Sequence, residues 1–196
     1  MSRRLVLVGG TAGTGKTTLA RALAAELGGG WLQVDTVWTA LRAAADPGSP
    51  AAALLDVPAT VGDPAVGDDD ALTAHVRVSH AVCEVLPEVL GFELQAHEVL
   101  VADGAWLLPS FVAGLRLPGT EVRGVFLEHA DAEAVTAALA PRLGSRPRSE
   151  RHEVADRRIW QYGVQVCRQA RALGLPVVTC LPWATLTARV RATLAP

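Results

Sequence analysis

The chain contains almost no lysine and no asparagine. Its 196 residues include seventeen arginines but a single lysine, Lys16, and not one asparagine. GC-rich coding favours arginine over lysine and depletes asparagine, so a lysine kept against that bias marks a position where arginine would not serve. A compact ammonium fits between phosphate oxygens where a planar guanidinium does not. The lack of asparagine also excludes the N-K-x-D motif that reads guanine, and with it a typical GTPase.

Other scarcities limit the class of protein. No apolar run reaches the roughly 20 residues that span a bilayer, and the start "MSRRLVLV" is too short for a secretory signal. We therefore expect a cytoplasmic protein with no membrane partner. The net charge of −2 makes nucleic acid an unlikely partner. The three cysteines are scattered, without the spacing of a metal site, which predicts reduced thiols in the core.

A glycine-rich loop follows the first apolar run. Residues 9–18 read "GGTAGTGKTT" and match G-x-x-x-x-G-K-[ST]. In this motif, backbone N–H groups of a strand–loop–helix unit cradle phosphate oxygens, and the helix N-terminus adds its positive dipole. We expect Lys16 to reach the β- and γ-phosphates, Thr17 to ligate Mg²⁺ and Thr18 to lie near the α-phosphate. The predicted nucleotide-binding residues of the loop are Gly10, Thr11, Ala12, Gly13, Thr14, Gly15, Lys16, Thr17 and Thr18.

Apolar runs alternate with helical patterns along the chain. Strands are predicted at "RLVLVGG", at "WLQV" ending at Asp35, at "EVLVAD" ending at Asp103, at "EVRGVFLE" and at "LPVVTC". Runs that are apolar throughout are typical of a parallel sheet covered by helices on both faces. Ligands bind such sheets at the carboxyl ends of the strands. We therefore expect Gly9, Asp35 and Asp103 to meet at one edge.

Residues 46–70 interrupt the helical pattern. The segment is rich in proline, glycine and aspartate and has no period, which predicts a long mobile connection on the acceptor side, helical at most in part. The helix that follows begins with three aspartates, which suit a helix N-terminus. Pro87 should kink or split this helix, and Gly174 should end a later one.

Two aspartates at predicted strand ends suggest chemistry. Asp103 fits the place of the acid that holds Mg²⁺ beside Thr17, and a surface aspartate is the alternative. Gly104 follows it where motor ATPases place a water-activating glutamate, which argues against hydrolysis as the main reaction. Asp35 can accept the proton of an attacking hydroxyl and orient it towards the terminal phosphate. The residue is equally suited to cap a helix that starts at Thr36.

An arginine-rich segment, residues 142–152, separates two predicted helices. Arginine side chains on a loop that closes over a phosphate stabilise the charge on its oxygens and exclude water. This predicts a lid, and a solvated basic turn is the alternative. Which arginine acts on the phosphate is open, although Arg142 and Arg151 flank the loop and are the best anchored. The candidates are Arg142, which could also contact the nucleotide, Arg146, Arg148 and Arg151.

Candidate acceptor-binding residues lie between the second and third strands and just after the third. Arg42 follows Asp35 by two helical turns and could bind an anion. The tryptophans suit core packing as well as ligand stacking. Trp183, after the fifth strand, could cover the adenine or pack on the last helix, whereas no role is predicted for His97 or His129. The full acceptor set is Asp35, Trp38, Arg42, His75, Arg77, His80 and Trp106.

These segments together resemble the small P-loop kinases related to 2-phosphoglycerate kinase and chloramphenicol phosphotransferase. The resemblance is carried by "VGGTAGTGKTTLARALAAELG", "QVDTVWTALR", "VLVADGAWLLPS" and the arginine-rich segment followed by "RRIWQYGVQVCRQARALGLPVV". It implies strand order 2-3-1-4-5, ATP with Mg²⁺, and transfer to a hydroxyl with Asp35 as base or orienter. Asp103, where relatives resembling 2-phosphoglycerate kinase tend to carry glutamate, and the long connection at 46–70 depart from that pattern.

The sequence therefore predicts one three-layer α/β P-loop kinase domain over residues 1–196, as a monomer or homodimer. It would move the γ-phosphate of ATP to a hydroxyl of a small metabolite or natural product. A regulatory ATPase or nucleotide switch with a protein partner is one alternative, and a toxin-like kinase acting on a nucleotide sugar is another. The acceptor and the choice between ATP and GTP stay open.

Overall fold

The computed structural model describes residues 3–56 and 61–194. Within these ranges the strands are β1 (Arg3–Gly10), β2 (Gly30–Gln33), β3 (Val99–Gly104), β4 (Thr120–Glu128) and β5 (Val177–Thr179). The helices are α1 (Lys16–Glu26), α2 (Val34–Ala44), α3 (Pro50–Leu55), α4 (Asp68–Ala96), α5 (Pro109–Gly114), α6 (Ala132–Leu139), α7 (Glu150–Ala172) and α8 (Trp183–Leu194). A short 3-10 helix, Ala140–Leu143, follows α6.

The five strands form one parallel sheet in the order β2-β3-β1-β4-β5, which confirms the predicted topology. The register aligns the carboxyl ends of the first three strands. Gly9 of β1 lies opposite Gly104 of β3, and Gln33 of β2 lies opposite Asp103. The residues that follow these strands therefore share one edge of the sheet.

Both faces of the sheet are covered by helices, because β1 is apolar at every position from Leu5 to Val8. Leu5 and Leu7 join a core cluster that includes residues of α2 to α5 and α7. Val6 and Val8 face the opposite way and pack with residues of α1 and α8. This alternation is the pleat of a strand buried on both sides, and it produces the expected three layers.

Two local predictions are wrong. Asp35 does not end β2, since the strand stops at Gln33 and Asp35 lies in the first turn of α2; Gln33 rather than Asp35 is the N-cap. The second concerns Pro87, where the helix α4 is not split but runs through to Ala96; a kink at Pro87 stays a prediction. Other boundaries agree with the pattern: α7 ends just before Gly174, whose φ of 71° suits glycine.

The connection at 46–70 contains more order than its composition indicates. Ser49 accepts a hydrogen bond from the Ala52 N–H and begins α3, and Leu55 at the end of α3 is buried. Residues 57–60 of this connection lie outside the described residues, and its mobility stays a prediction. All three cysteines are free and buried. No helix in the described ranges is long and apolar enough to cross a bilayer.

Candidate functional site

The loop between β1 and α1 takes a shape that glycine permits. Gly10 and Gly15 have φ of 133° and 78°, a region that other residues rarely adopt. A Cβ on Gly10 would lie 2.6 Å from the Leu127 carbonyl oxygen, and one on Gly15 would lie 2.2 Å from the Trp183 ring. Glycine at these positions therefore lets the loop pack against Leu127 and Trp183 with the positive φ angles that a phosphate-binding loop uses.

Lys16 is buried at the first position of α1, with 7% of its surface exposed. Its Nζ donates to the Thr11 carbonyl at 3.2 Å, and the same carbonyl accepts from the Thr14 hydroxyl at 2.8 Å. Burial lowers the pKa of Lys16, while the nearby carboxylates of Asp35 and Asp103 oppose that shift. A buried ammonium held only partly by protein oxygens suits a phosphate ligand, so the loop fits a nucleotide.

The two predicted metal residues are in direct contact. The Thr17 hydroxyl donates to Asp103 Oδ2 at 2.6 Å, and the Trp31 indole N–H donates to Oδ1 at 2.8 Å. Asp103 is fully buried, and its burial raises the pKa of the carboxyl. Across the described residues, no cluster of three or more His, Cys, Asp or Glu could hold a metal. A hydroxyl and one carboxylate beside the phosphate loop instead fit Mg²⁺ that shares its ligands with a nucleotide.

Trp31 is a contact that the sequence analysis did not anticipate. It lies on β2, next to β3, and Arg21 of α1 lies over its ring at 5.2 Å. With Thr17 it orients both oxygens of Asp103. Nothing local in "WLQV" marks this partner, because the two residues meet through strand pairing.

Asp35 lies beside the phosphate loop, even though it belongs to α2. The Ala105 N–H, just after β3, faces its Oδ1 at 3.4 Å. Asp35 is close enough to Lys16 to act on that ammonium electrostatically. The predicted meeting of these groups at one edge is therefore seen, through a helix turn rather than a strand end.

A cavity of about 570 Å³, named the acceptor cavity, opens between Asp35 and the arginine-rich segment. Thr11 and Ala12 of the phosphate loop form part of its wall, so it adjoins the nucleotide cradle. A volume of this size is typical of small-molecule sites. Besides Thr11 and Ala12, six further predicted site residues line it: Asp35, Trp38, His75, Trp106, Arg142 and Arg151. Residues that were not predicted also do so: Val61, Gly62, Ala105, His152, Ala155 and Ile159.

Arg148 and four other acceptor or lid candidates do not line the acceptor cavity. Arg42 instead lies over the Trp38 ring, 4.8 Å from its centroid, and Arg77 is exposed. His80 lines a separate cavity of about 350 Å³. Arg146 turns back to the backbone carbonyls of Leu143 and Arg142 at 3.3 and 3.4 Å. Their assignment to catalysis or acceptor binding therefore gains no support.

The arginine-rich segment is tied to the start of α7. Arg148 pairs with Asp156 at 2.5 Å, and Asp156 also accepts from the Thr136 hydroxyl of α6 at 3.1 Å. Arg142 is exposed but acts on Lys16, lowering the pKa of that ammonium. Arg142 and Arg151 thus remain candidates to approach the phosphates, whereas Arg148 anchors the loop.

A buried arginine on α7 anchors the acceptor-side connection. Arg158, 6% exposed, donates to Asp68 at 2.8 Å and to the carbonyls of Val61, Asp63 and Val66. Its hydrogen bonds and those of Arg157 lower the pKa of Asp68 to about 2. The signal in the sequence was the acidic start of α4 and the arginine pair of α7, which only the fold brings together.

His129, to which the sequence assigned no role, supports the phosphate loop. Its Nε2 lies 3.0 Å from the Ala12 carbonyl, which can only accept, so Nε2 carries the proton. Nδ1 is then the acceptor, 3.6 Å from the Cys180 thiol. Burial lowers the pKa of His129, which keeps this arrangement neutral.

Trp183 begins α8 and lies against the phosphate loop at Gly15. Nearly half of its surface is exposed. A ring in that place is available to a base as well as to the loop, so its prediction as an adenine contact stays open.

No protein-family model matches the chain, and no curated protein matches it. Solved structures do match. A gluconokinase from Sinorhizobium meliloti 1021 aligns with a TM-score of 0.57 and 19% identity, over 98% of this chain and 91% of that one. A shikimate kinase from Acinetobacter baumannii, in complex with shikimate, aligns with a TM-score of 0.51 and 16% identity, over 99% and 92%. A shikimate kinase from Bacteroides thetaiotaomicron gives 0.50 and 16%, over 99% of both chains. At such identities the likeness establishes the fold.

Proposed function

We propose that the protein is a small-molecule kinase that transfers the γ-phosphate of ATP to an acceptor hydroxyl. The observation that carries this proposal is the position of Asp35, which lines a cavity that shares Thr11 and Ala12 with the phosphate loop. A carboxylate between a phosphate cradle and a metabolite-sized cavity is what phosphoryl transfer to a hydroxyl needs. The similar folds of a gluconokinase and of shikimate kinases support it.

Each polar group near the loop has a separate task in this proposal. Lys16 and the loop N–H groups bind the phosphates, and Thr17 with Asp103 would hold Mg²⁺, which neutralises phosphate charge. Asp35 accepts a hydrogen bond from the acceptor hydroxyl and orients its oxygen in line. Arg142 and Arg151 approach from the lid and stabilise charge on the transferred group.

The reaction is a single displacement. The acceptor oxygen forms a bond to the γ-phosphorus, the bond from that phosphorus to the β–γ bridging oxygen breaks, and ADP leaves. The hydroxyl proton passes to Asp35 and then to solvent. The apolar wall of the acceptor cavity, which includes Trp38 and Ile159, limits the water that could compete as acceptor.

The alternative of a nucleotide switch gains less support. A switch needs a nucleotide site and a surface that responds to the nucleotide. It does not need a cavity for a second small molecule beside the phosphate loop. The acceptor cavity, with Asp35 in its wall, is a feature that a kinase needs and a switch does not. The finer resemblance to 2-phosphoglycerate kinase and chloramphenicol phosphotransferase, the oligomeric state and the cellular location stay predictions.

The test is ADP release with ATP and Mg²⁺, with and without a pooled library of phosphoglycerates, sugar acids, sugars, nucleosides and hydroxylated antibiotics. The variant Asp35→Asn should lower acceptor-stimulated kcat by roughly 10²- to 10⁴-fold and leave nucleotide affinity unchanged. Asp46→Asn is the matched control, because Asp46 is exposed and lies just beyond α2. Slow turnover that no acceptor raises, and that Asp35→Asn leaves intact, would overturn the proposal in favour of a nucleotide switch.

A further inference from the structure

Two nitrogen atoms in the wall of the acceptor cavity have no hydrogen-bond partner among the described residues. They are Nε2 of His75, on α4, and Nε1 of Trp106, just after β3. Both atoms are buried, both residues line the cavity, and Trp106 is 6% exposed. Buried polar groups are bonded in the great majority of cases. Two exceptions side by side in one cavity indicate a ligand that completes them.

The third large aromatic residue of the cavity shows the contrast. Trp38 lies 5.1 Å from Trp106 between ring centroids, but its indole N–H donates to the Leu55 carbonyl at 3.1 Å. Trp38 therefore offers the cavity an apolar surface alone. The free N–H of Trp106 is thus a property of its position rather than of tryptophan in this cavity.

Stacking holds the two unpartnered rings in place. The His75 ring lies 3.8 Å from the Tyr162 ring and 4.8 Å from the Trp106 ring, centroid to centroid. The Tyr162 hydroxyl is already engaged with the Ser79 hydroxyl at 3.0 Å. Because these ring contacts hold both side chains, a ligand group that bonds to their nitrogen atoms pays little ordering cost.

The buried end of the cavity is electrically neutral. Burial lowers the pKa of His75 to about 4, so its imidazole is uncharged near neutral pH. Arg142 and Arg151 also line the cavity, but both are exposed, unlike the buried nitrogen atoms of His75 and Trp106. His152 there is engaged through Nδ1 with Ser149, at the start of α7. A carboxylate or phosphate taken to the buried end would lose its hydration without meeting a cation.

We infer that His75 and Trp106 bind a second, uncharged oxygen group of the acceptor, distinct from the hydroxyl that Asp35 orients. A hydroxyl fits both partners, because its oxygen accepts from the Trp106 N–H and the group can either donate to or accept from His75 Nε2, whichever tautomer the ring adopts. The apolar wall formed by Trp38, Ala155 and Ile159 suits a ring between the two oxygens. The substrate class is therefore an uncharged cyclic polyol, and this deepens the proposed function on which it rests.

Three ring alcohols of matched shape test the inference on the full-length protein: cyclohexanol, cyclohexane-1,3-diol and 3-hydroxycyclohexanecarboxylate. All three share one hydroxyl, and at the ring carbon in the 1,3-relationship to it they carry hydrogen, hydroxyl and carboxylate, respectively. Binding is measured with Mg²⁺ and a non-hydrolysable ATP analogue, by ligand NMR titration that also follows the Trp106 indole N–H signal. Turnover with ATP is measured separately. The variant is Trp106→Phe, and Trp38→Phe is the matched control.

The diol should bind about tenfold more tightly than cyclohexanol, and more tightly than the carboxylate. It alone should move the Trp106 N–H signal strongly. Trp106→Phe should abolish the preference for the diol, while Trp38→Phe should keep it. Equal binding of diol and cyclohexanol, preference for the carboxylate, or a preference that survives Trp106→Phe would each overturn the inference. Binding is read without turnover, so diol preference without phosphorylation would count against the proposed kinase alone.

Discussion

His75 should make the folded protein less stable at pH 5 than at pH 8. Burial lowers its pKa to about 4, whereas an unfolded histidine titrates near pH ~6.5. Between those values the unfolded chain binds a proton that the folded chain does not. Unfolding is therefore favoured as the pH falls through ~6.5. The contribution of His75 to the free energy of unfolding is lost in full once the pH is below about 4.

The size of the effect follows from the shift. Two and a half pKa units correspond to about 3 kcal/mol in full, and about 2 kcal/mol of that is lost by pH 5. At pH 5 the carboxylates in ion pairs are still ionised, so their protonation does not contribute to the loss of stability. Asp68, with a pKa lowered to about 2, loses its contribution only at lower pH. His129 shifts in the same direction, but it is present in every variant and cancels in a difference.

The assay is urea unfolding at pH 8 and pH 5 for the wild type, His75→Phe and the control His80→Phe. Phenylalanine keeps a ring against Tyr162 and Trp106 and removes the titrating group, whereas His80 is exposed on the same helix. The wild type and the control should lose about 2 kcal/mol more than His75→Phe between the two pH values. Equal losses in all three proteins would refute the reasoning, because burial of a neutral His75 requires the difference.

Three further predictions concern the anchor, the phosphate loop and the thiols. Arg158→Met should lower the free energy of unfolding, measured in urea titrations, by roughly 3 kcal/mol. The control Arg157→Met, at an exposed position, should lower it by less than about 1 kcal/mol. Similar losses in both variants would contradict the role of Arg158 as an anchor. Gly15→Ala should weaken binding of a fluorescent ATP analogue more than about tenfold. Adding Trp183→Ala to Gly15→Ala should restore only part of the affinity, because the φ of 78° at position 15 strains alanine even without the clash with the Trp183 ring. Full recovery of the affinity would exclude backbone strain as a cause. The thiols of Cys83, Cys167 and Cys180 should not react with Ellman's reagent before the protein unfolds, because all three are buried and burial raises their pKa values. Rapid labelling of the folded protein would contradict this prediction.

The phosphate loop and the sheet could be predicted because their signals are local. The glycines, Lys16 and Thr17 are adjacent in the chain, and the all-apolar β1 reports burial on both faces within a few residues. Parallel connection and the carboxyl-end rule then place Asp35 and Asp103 near the loop. The error at Asp35 was one of element type, since strand end and first helical turn put the side chain at the same edge.

The acceptor side could be predicted only as a list of residue types. Of that list, His75 and Trp106 lie in the cavity while Arg42 and Arg77 do not, and no spacing distinguishes them. Their environment depends on α4 packing against α7 and on the turn after β3. Arg158 shows the same limit, because its partners lie ninety or more residues away in the chain.

The sequence by itself determined the fold class and the glycine-rich phosphate loop, because short-range pattern and backbone geometry dictate them. The strand order came from the resemblance to small P-loop kinases. The tertiary structure alone decided which polar groups remain without partners. Trp38 and Trp106 are the same residue type, yet the N–H of Trp38 donates to the Leu55 carbonyl and that of Trp106 is buried with no partner among the described residues. Whether a buried group is satisfied depends on atoms brought together from distant parts of the chain, which no local pattern in the sequence reports.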